Sequence, residues 1–265
     1  MKLKIGVHGL TSCYGCQLKM ASIKELLEVV ERFDIEYWYM ASSKGEIKHV
    51  DVAFVEGSVS TAEDEKELKK IRENADILVA VGSCAIHGGV QGMLFGEEYK
   101  EIFEEIYGKH EMDFEGRIGE PIKNYVDVDY FLPGCPPEEE EVVYYLACFA
   151  LGSYPEEKDY PVCSECRRNG YPCIIIEKGE MCLGPLTVAG CNARCPGHNV
   201  ACIGCRGPLP YNIAWFDSLA KTFKEKGFSK EDVRKRMEIF GKQYKKMDEM
   251  IEKVFEDEGG KTDQE

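Results

Sequence analysis

Over the first 150 residues the apolar positions switch repeatedly between two periods, and the switching predicts a fold. Lys2–His8 reads as a strand, and Gln17–Phe33 sets Leu18, Ile23, Leu26, Leu27 and Val30 at helical spacing. Ile35–Met40 and Val50–Val55 return to strand patterns. Ser60 with Glu63 has the form of a capping box opening a helix that runs to about Ala75. Ile77–Val81 is unbroken apolar sequence, the pattern of a parallel strand covered on both faces. A helix over Glu97–Tyr107, a strand at Tyr130–Leu132 and a helix ending near Gly152 follow. Pro136, Pro137 and Glu138–Glu141 form the predicted first turn of that last helix. Strands and helices in this alternation predict an α/β domain over 1–153, a doubly wound, mostly parallel sheet.

Both periods fade near Ser153–Tyr160. From there to Tyr211 the chain is rich in Cys, Gly and Pro, so a small irregular domain over 154–258 is predicted, organised by its cysteines rather than by apolar packing. Helices over Ile213–Lys226 and Lys230–Phe255 close it, the second capped by Ser229 with Asp232. Residues 259–265 read as a disordered tail.

Charge narrows the function. A formal charge of −15 with no basic stripe argues against nucleic acid and anionic membranes as partners. No run of about 18 apolar residues is present to span a bilayer. The N-terminal MKLKIGVHGLTSC has neither a signal-peptide apolar region nor a twin-arginine leader, which predicts a cytoplasmic protein. There is no G-x-G-x-x-G loop, so any nucleotide chemistry is expected on another chain.

The chemistry lies in thirteen cysteines. Cys13 and Cys16 follow the first predicted strand, Cys84 follows Ile77–Val81, and Cys135 follows the strand ending at Leu132. The carboxyl ends of parallel strands share one edge, so these four predict a single four-thiolate site, suited to zinc or an iron–sulfur cluster. Gly82, Gly88, Gly89 and Gly134 permit the tight turns a bulky ligand requires. A thioredoxin-like Cys-x2-Cys pair needs neither Cys84 nor Cys135, and structural zinc favours locally paired ligands. Further on come Cys163-x2-Cys166-x6-Cys173-x8-Cys182 and Cys191-x3-Cys195-x6-Cys202-x2-Cys205. Two zinc ribbons could also use these eight residues, spacing alone does not settle the metal, and an interleaved grouping stays open. Cys148, in the apolar segment Val142–Leu151, reads as a small core residue. Glu56, at a strand end, is a candidate for proton or cluster electrostatics beside its plainer reading as a loop acid. His87 and His198 are candidate N–H donors toward sulfide rather than ligands.

Four motifs together resemble the [NiFe] hydrogenase small subunit: Thr11-Ser12-Cys13-Tyr14-Gly15-Cys16, Val55-Glu56-Gly57, Gly82-Ser83-Cys84-Ala85 and Pro133-Gly134-Cys135-Pro136-Pro137. The stretch from Cys182-Leu183-Gly184-Pro185 through Cys195-Pro196 to Cys202–Pro208 looks like that family's medial and distal cluster region. The likeness covers roughly residues 4–212 and is nearest to the cytoplasmic subgroup, the archaeal sulfhydrogenase delta and F420-reducing hydrogenase small subunits. It implies a flavodoxin-like domain with a proximal [4Fe–4S] cluster on Cys13, Cys16, Cys84 and Cys135. A medial [4Fe–4S] cluster is implied on Cys191, Cys195, Cys202 and Cys205, and a distal one on Cys163, Cys166, Cys173 and Cys182. Periplasmic members use a distal histidine and three medial cysteines, from which this chain departs. The related complex I subunit has adjacent cysteines where this chain has Cys13-x2-Cys16, and it lacks the later sets.

The implied role is an electron relay for H2 ⇌ 2H+ + 2e−, with the NiFe centre on a large-subunit partner. FAD and NADP(H) are expected on flavin-binding and iron–sulfur diaphorase partners. F420 is the alternative acceptor, and sulfur or polysulfide reduction is implied only by the sulfhydrogenase likeness. The reading from a different class is a zinc-stabilised interaction module.

Overall fold

The computed structural model describes residues 2–24, 26–41, 46–93, 96–108, 116, 118–209, 214–240 and 245–256. The chain divides into two compact units, Met1–Glu157 and Lys158–Glu265.

The first unit is built on five strands: β1 (Leu3–Gly9), β2 (Phe33–Trp38), β3 (Val50–Glu56), β4 (Ala75–Val81) and β5 (Tyr130–Leu132). All pairings are parallel and the order is β2-β1-β3-β4-β5, the flavodoxin-like arrangement with its switch point between β1 and β3. The strict alternation of side chains along each strand sorts the apolar residues into two layers. Ile5, Val7, Val52, Phe54, Val79 and Val81 face one core, closed by Met20 of α1 (Gly15–Ala21) and by Val142, Leu146 and Phe149 of α6 (Glu139–Ala150). Ala53, Val55, Leu78 and Ala80 face the other, closed by Leu68 and Ile71 of α3 (Ala62–Glu73). Each such fully buried Ile, Leu or Phe contributes about 1.5–3 kcal/mol. That burial holds the sheet's carboxyl edge rigid.

Several local expectations shift. The single helix over Gln17–Phe33 is two, α1 and α2 (Leu26–Arg32), and Phe33 already belongs to β2. The break is pinned from α6: Glu139 accepts from the Lys24 N–H at 3.1 Å and pairs with Lys19 at 3.0 Å, while Ile23 turns into the core. Leu18 and Leu27, expected on the buried stripe, are 61% and 79% exposed. The capping box lies one residue later than predicted, on Thr61 and Asp64, because Asp64 also receives the Thr11 hydroxyl. Pro136 and Pro137 precede α6 instead of entering it; Glu138 is the cap, and Glu139–Glu141 fill the first turn as predicted. Helices α4 (Gly82–His87) and α5 (Gly96–Tyr107) complete this unit.

In the second unit α7 (Val162–Arg168) and the short α8 (Arg194–Gly197) lie among the cysteines, with a π-helical turn at Ile174–Lys178. Then follow α9 (Ala214–Glu225), α10 (Lys230–Met237) and α11 (Lys245–Glu256). The predicted Lys230–Phe255 helix is thus broken after Met237 by a 3-10 turn over Glu238–Phe240, and 241–244 lie outside the described residues. Its cap holds: Ser229 and Asp232 form a capping box. The cysteine-rich stretch also has more apolar support than its own composition suggests. Ile174, Leu183, Leu186 and Ala201 pack with Phe216, Phe223, Val233, Phe240 and Ile251 of the terminal helices. Residues 259–265 lie outside the described residues. No helix among the described residues is long and apolar enough to cross a membrane.

A candidate iron–sulfur site at the carboxyl edge of the sheet

Three chain crossings bring Cys13, Cys16, Cys84 and Cys135 to one rim. Cys13 lies in the turn from β1 into α1 and Cys16 in the first turn of α1, whose start is set by Tyr14 in the left-handed region at φ 59°. Cys84 lies on α4 directly after β4, and Cys135 follows β5. Ser83 ties the last two together, donating from its N–H at 2.9 Å and its hydroxyl at 3.0 Å to the Gly134 carbonyl. Gly82 and Gly89 leave the thiols room: a Cβ on Gly82 would stand 2.4 Å from Cys16 Sγ, and one on Gly89 3.0 Å from Cys84 Sγ.

The four thiols act on one another electrostatically. Burial, then Glu56, then Cys84 and Cys135 push the Cys16 thiol far above its ordinary range. Burial, then Cys135 and Cys13 push Cys84 up to about 12. Burial and Cys13 raise Cys135. Thiolates crowded in this way repel one another, and a ligand that supplies positive charge would offset that repulsion. Four soft sulfur donors on glycine-lined turns fit the iron–sulfur cluster that the sequence implies.

Glu56 is buried behind this rim, and its Oε2 accepts from the Cys16 N–H at 3.1 Å. Burial raises its pKa, opposed by hydrogen bonds from Cys16 and Gln17. The carboxylate therefore braces the turn that presents Cys16. His87 is buried on α4, whereas His198 is exposed. His8 carried no signal in the sequence beyond its strand position. It is buried and stacked on Tyr37 at 4.7 Å, and burial lowers its pKa to about 4, so it is neutral.

In the second unit Cys163, Cys166, Cys173 and Cys182 are gathered. Burial, then Cys182, Cys166 and Cys173 push Cys163 up to about 12. Gly184 lies against two of them, its Cβ position 3.3 Å from Cys163 Sγ and 3.5 Å from Cys182 Sγ. Cys202 adjoins both Cys182 and Cys205: its N–H donates to Cys182 Sγ at 3.2 Å, and burial, then Cys182 and Cys205, raise its pKa. Cys191 faces Arg206 and Glu165. Sequence reasoning passed over these two, although Glu165 stands between Cys163 and Cys166 and Arg206 directly follows Cys205. Among the described residues no three His, Cys, Asp or Glu side chains close round one point as a single metal ion requires. Cys148 is a free, half-buried thiol on α6. Cys148→Ala is expected to leave iron and sulfide per chain unchanged; loss of iron on analysis of the purified variant would refute the grouping into three fours.

The parallel sheet and its rim of four thiols define an α/β, flavodoxin-like subunit with a candidate iron–sulfur site. The family model described as NADH ubiquinone oxidoreductase, 20 Kd subunit, matches residues 13–149, just over half of the chain. Sulfhydrogenase 2 subunit delta of Pyrococcus furiosus is 39% identical, over 91% of this chain and 100% of its own length. A chain of the F420-non-reducing hydrogenase vhu of Methanocaldococcus jannaschii is 32% identical, over 78% of this chain and 82% of its own length. A solved NAD+-reducing [NiFe]-hydrogenase is 28% identical with a TM-score of 0.52, covering 59% of this chain and 95% of that one. The chain belongs to this family as a small subunit of a [NiFe] hydrogenase, an oxidoreductase complex whose NiFe site lies on the large subunit.

Proposed function

We propose that this chain is the relay of a cytoplasmic [NiFe] hydrogenase and holds three [4Fe–4S] clusters. The proximal one is held by Cys13, Cys16, Cys84 and Cys135, the medial by Cys191, Cys195, Cys202 and Cys205, and the distal by Cys163, Cys166, Cys173 and Cys182. The observation that carries this reading is the meeting of four thiols from three strand ends at one rim, in a chain of this family. When bound, such clusters supply reversible one-electron transfer. The chain's own contribution is to hold the thiolates, brace the Cys16 turn through Glu56, and keep side-chain bulk away at Gly82 and Gly89.

The large subunit is proposed to dock at the proximal rim. Exposed Leu18, Tyr39, Met40 and Val90 lie there beside the thiol-bearing turns, with Tyr39 stacked on Tyr14 at 5.4 Å. The proposed acceptor is NADP(H), through a flavin-containing diaphorase partner; the likeness to an NAD+-reducing hydrogenase supports a nicotinamide. F420 ranks below it, because a 32% identical relative is an F420-non-reducing enzyme. Sulfur or polysulfide reduction rests on the sulfhydrogenase likeness alone.

The test is anaerobic purification of the tagged chain from its native host, with nickel, iron, sulfide and zinc measured in the complex. Hydrogen-dependent reduction of NADP, NAD, F420 and polysulfide is assayed alongside. About 12 iron and 12 sulfide assigned to this chain, with nickel on a partner and NADP reduced fastest, is the expected result. Zinc without sulfide would refute the cluster assignment, and faster reduction of F420 would reassign the acceptor.

A further inference from the structure

The turn that carries Cys191 is conformationally costly. Gly190 has φ 131°, and two consecutive non-glycine residues, Asn192 and Ala193, occupy the left-handed region at φ 53° and 51°. Adjacent L-residues rarely adopt that conformation, and it persists only where surrounding groups hold it. Here the holding group is a carboxylate. Glu165 is 3% exposed; its Oε1 accepts from the Gly190 N–H at 2.9 Å and its Oε2 from the Ala193 N–H at 3.1 Å. The two amides flank Cys191, one on each side. Glu165 itself sits on α7 between Cys163 and Cys166. A second grip comes from the end of the same helix, where Asn169 Nδ2 donates to the Asn192 carbonyl at 3.2 Å and to its Oδ1 at 2.8 Å.

The neighbourhood is electrostatically built as well. Arg206 is 2% exposed and fixed by Nε bonds of 3.0 Å to the Val188 and Ala189 carbonyls, and its charge and that of Glu165 both act on Cys191. The Arg194 N–H donates to the Cys191 carbonyl at 3.2 Å, closing the turn on its far side. A buried carboxylate is stable only when its lone pairs are satisfied, and here each of its oxygens takes one N–H. Glutamate at this position meets that condition.

We infer that Glu165 is the positioning residue for Cys191, the carboxylate by which the helix of one late cysteine set fixes a ligand of the other. This rests on the cluster assignment proposed above. Gln at 165 keeps the shape but turns an NH2 group toward one of the two N–H donors, loosening the Cys191 turn. It also removes a buried negative charge next to the Cys191 turn, which makes the cluster held there easier to reduce.

The test uses the intact, anaerobically purified complex with Glu165→Gln and Asn169→Ala. Each is followed by EPR-monitored redox titration and by the rate of iron release to a chelator. In Glu165→Gln one reduction step is expected to move to higher potential, and about one third of this chain's iron to leave several-fold faster, the rest unchanged. Asn169→Ala is expected to release the same third faster with no shift in potential, since only a neutral grip is lost. Wild-type potentials and release rates in Glu165→Gln would overturn the inference, as would a uniform change at all clusters. Should Glu165→Gln fail to fold, wild-type iron release in Asn169→Ala would overturn it. Wild-type complex with no sulfide in this unit would instead refute the cluster reading beneath it.

Discussion

Cys84→Ser is expected to lower the iron of this chain from about 12 to about 8, with sulfide falling in step, or to convert one cluster's EPR signal. Hydrogen-dependent acceptor reduction should fall to background. The size of the effect follows from the rigidity of the position. Cys84 is set on a six-residue helix directly after a buried strand, and its carbonyl receives the Gly88 N–H at 3.1 Å. Its neighbour Ser83 is tied to Gly134, so the loops of Cys84 and Cys135 move together. A serine oxygen there is a shorter, harder donor than sulfur, and the backbone is too constrained to bring it closer. Because a relay acts in series, loss of one member interrupts the whole. Iron at about 12 per chain with undiminished acceptor reduction would show that Cys84 is not a ligand.

Gly82→Ala is expected to be nearly as damaging without touching a ligand. Gly82 has φ 79°, a conformation that costs an L-residue roughly 1–2 kcal/mol, and its new Cβ would stand 2.4 Å from Cys16 Sγ. A free thiol swings aside; one held by metal does not. The strain is separable from the collision through Gly179, which has φ 71° and nothing within 4 Å of an added Cβ. Gly179→Ala should therefore lose about 1–2 kcal/mol of stability and keep its iron. Gly82→Ala should lose about 4 iron at the proximal site. Iron analysis beside thermal unfolding checks both, and equal iron in the two variants would discard the steric argument.

The strands were legible because each carries its own signal. Val50–Val55 is apolar except at Asp51 and Ile77–Val81 is unbroken, and they form the buried centre of the sheet as β3 and β4. The terminal cap at Ser229 and Asp232 was legible for the same reason, being complete within four residues. Where a feature depends on a distant partner, local pattern misled. The helix over Gln17–Phe33 is periodic throughout, yet Glu139, more than a hundred residues away, captures Lys24 and interrupts it. The capping box was misplaced by one residue because Thr11 also engages Asp64. The short helices α4 and α7 escaped notice because six or seven residues containing Gly and Cys offer too little periodicity to read.

By itself the sequence determined the alternation of strands and helices, the placing of Cys13, Cys16, Cys84 and Cys135 at strand ends, and the hydrogenase resemblance of the surrounding motifs. These are properties of local residue type and spacing, and parallel pairing turns strand ends into neighbours without further information. Only the tertiary structure decided which groups support the thiols. Glu56 behind Cys16, Gly82 against its sulfur, and Glu165 across the Cys191 turn are contacts between residues 25 to 66 positions apart in the chain. Tertiary packing also supplied the cysteine-rich stretch with an apolar footing on the terminal helices. Hydrogen bonds and collisions act over a few ångströms of space, and separation along the chain carries no record of that distance until the backbone has folded.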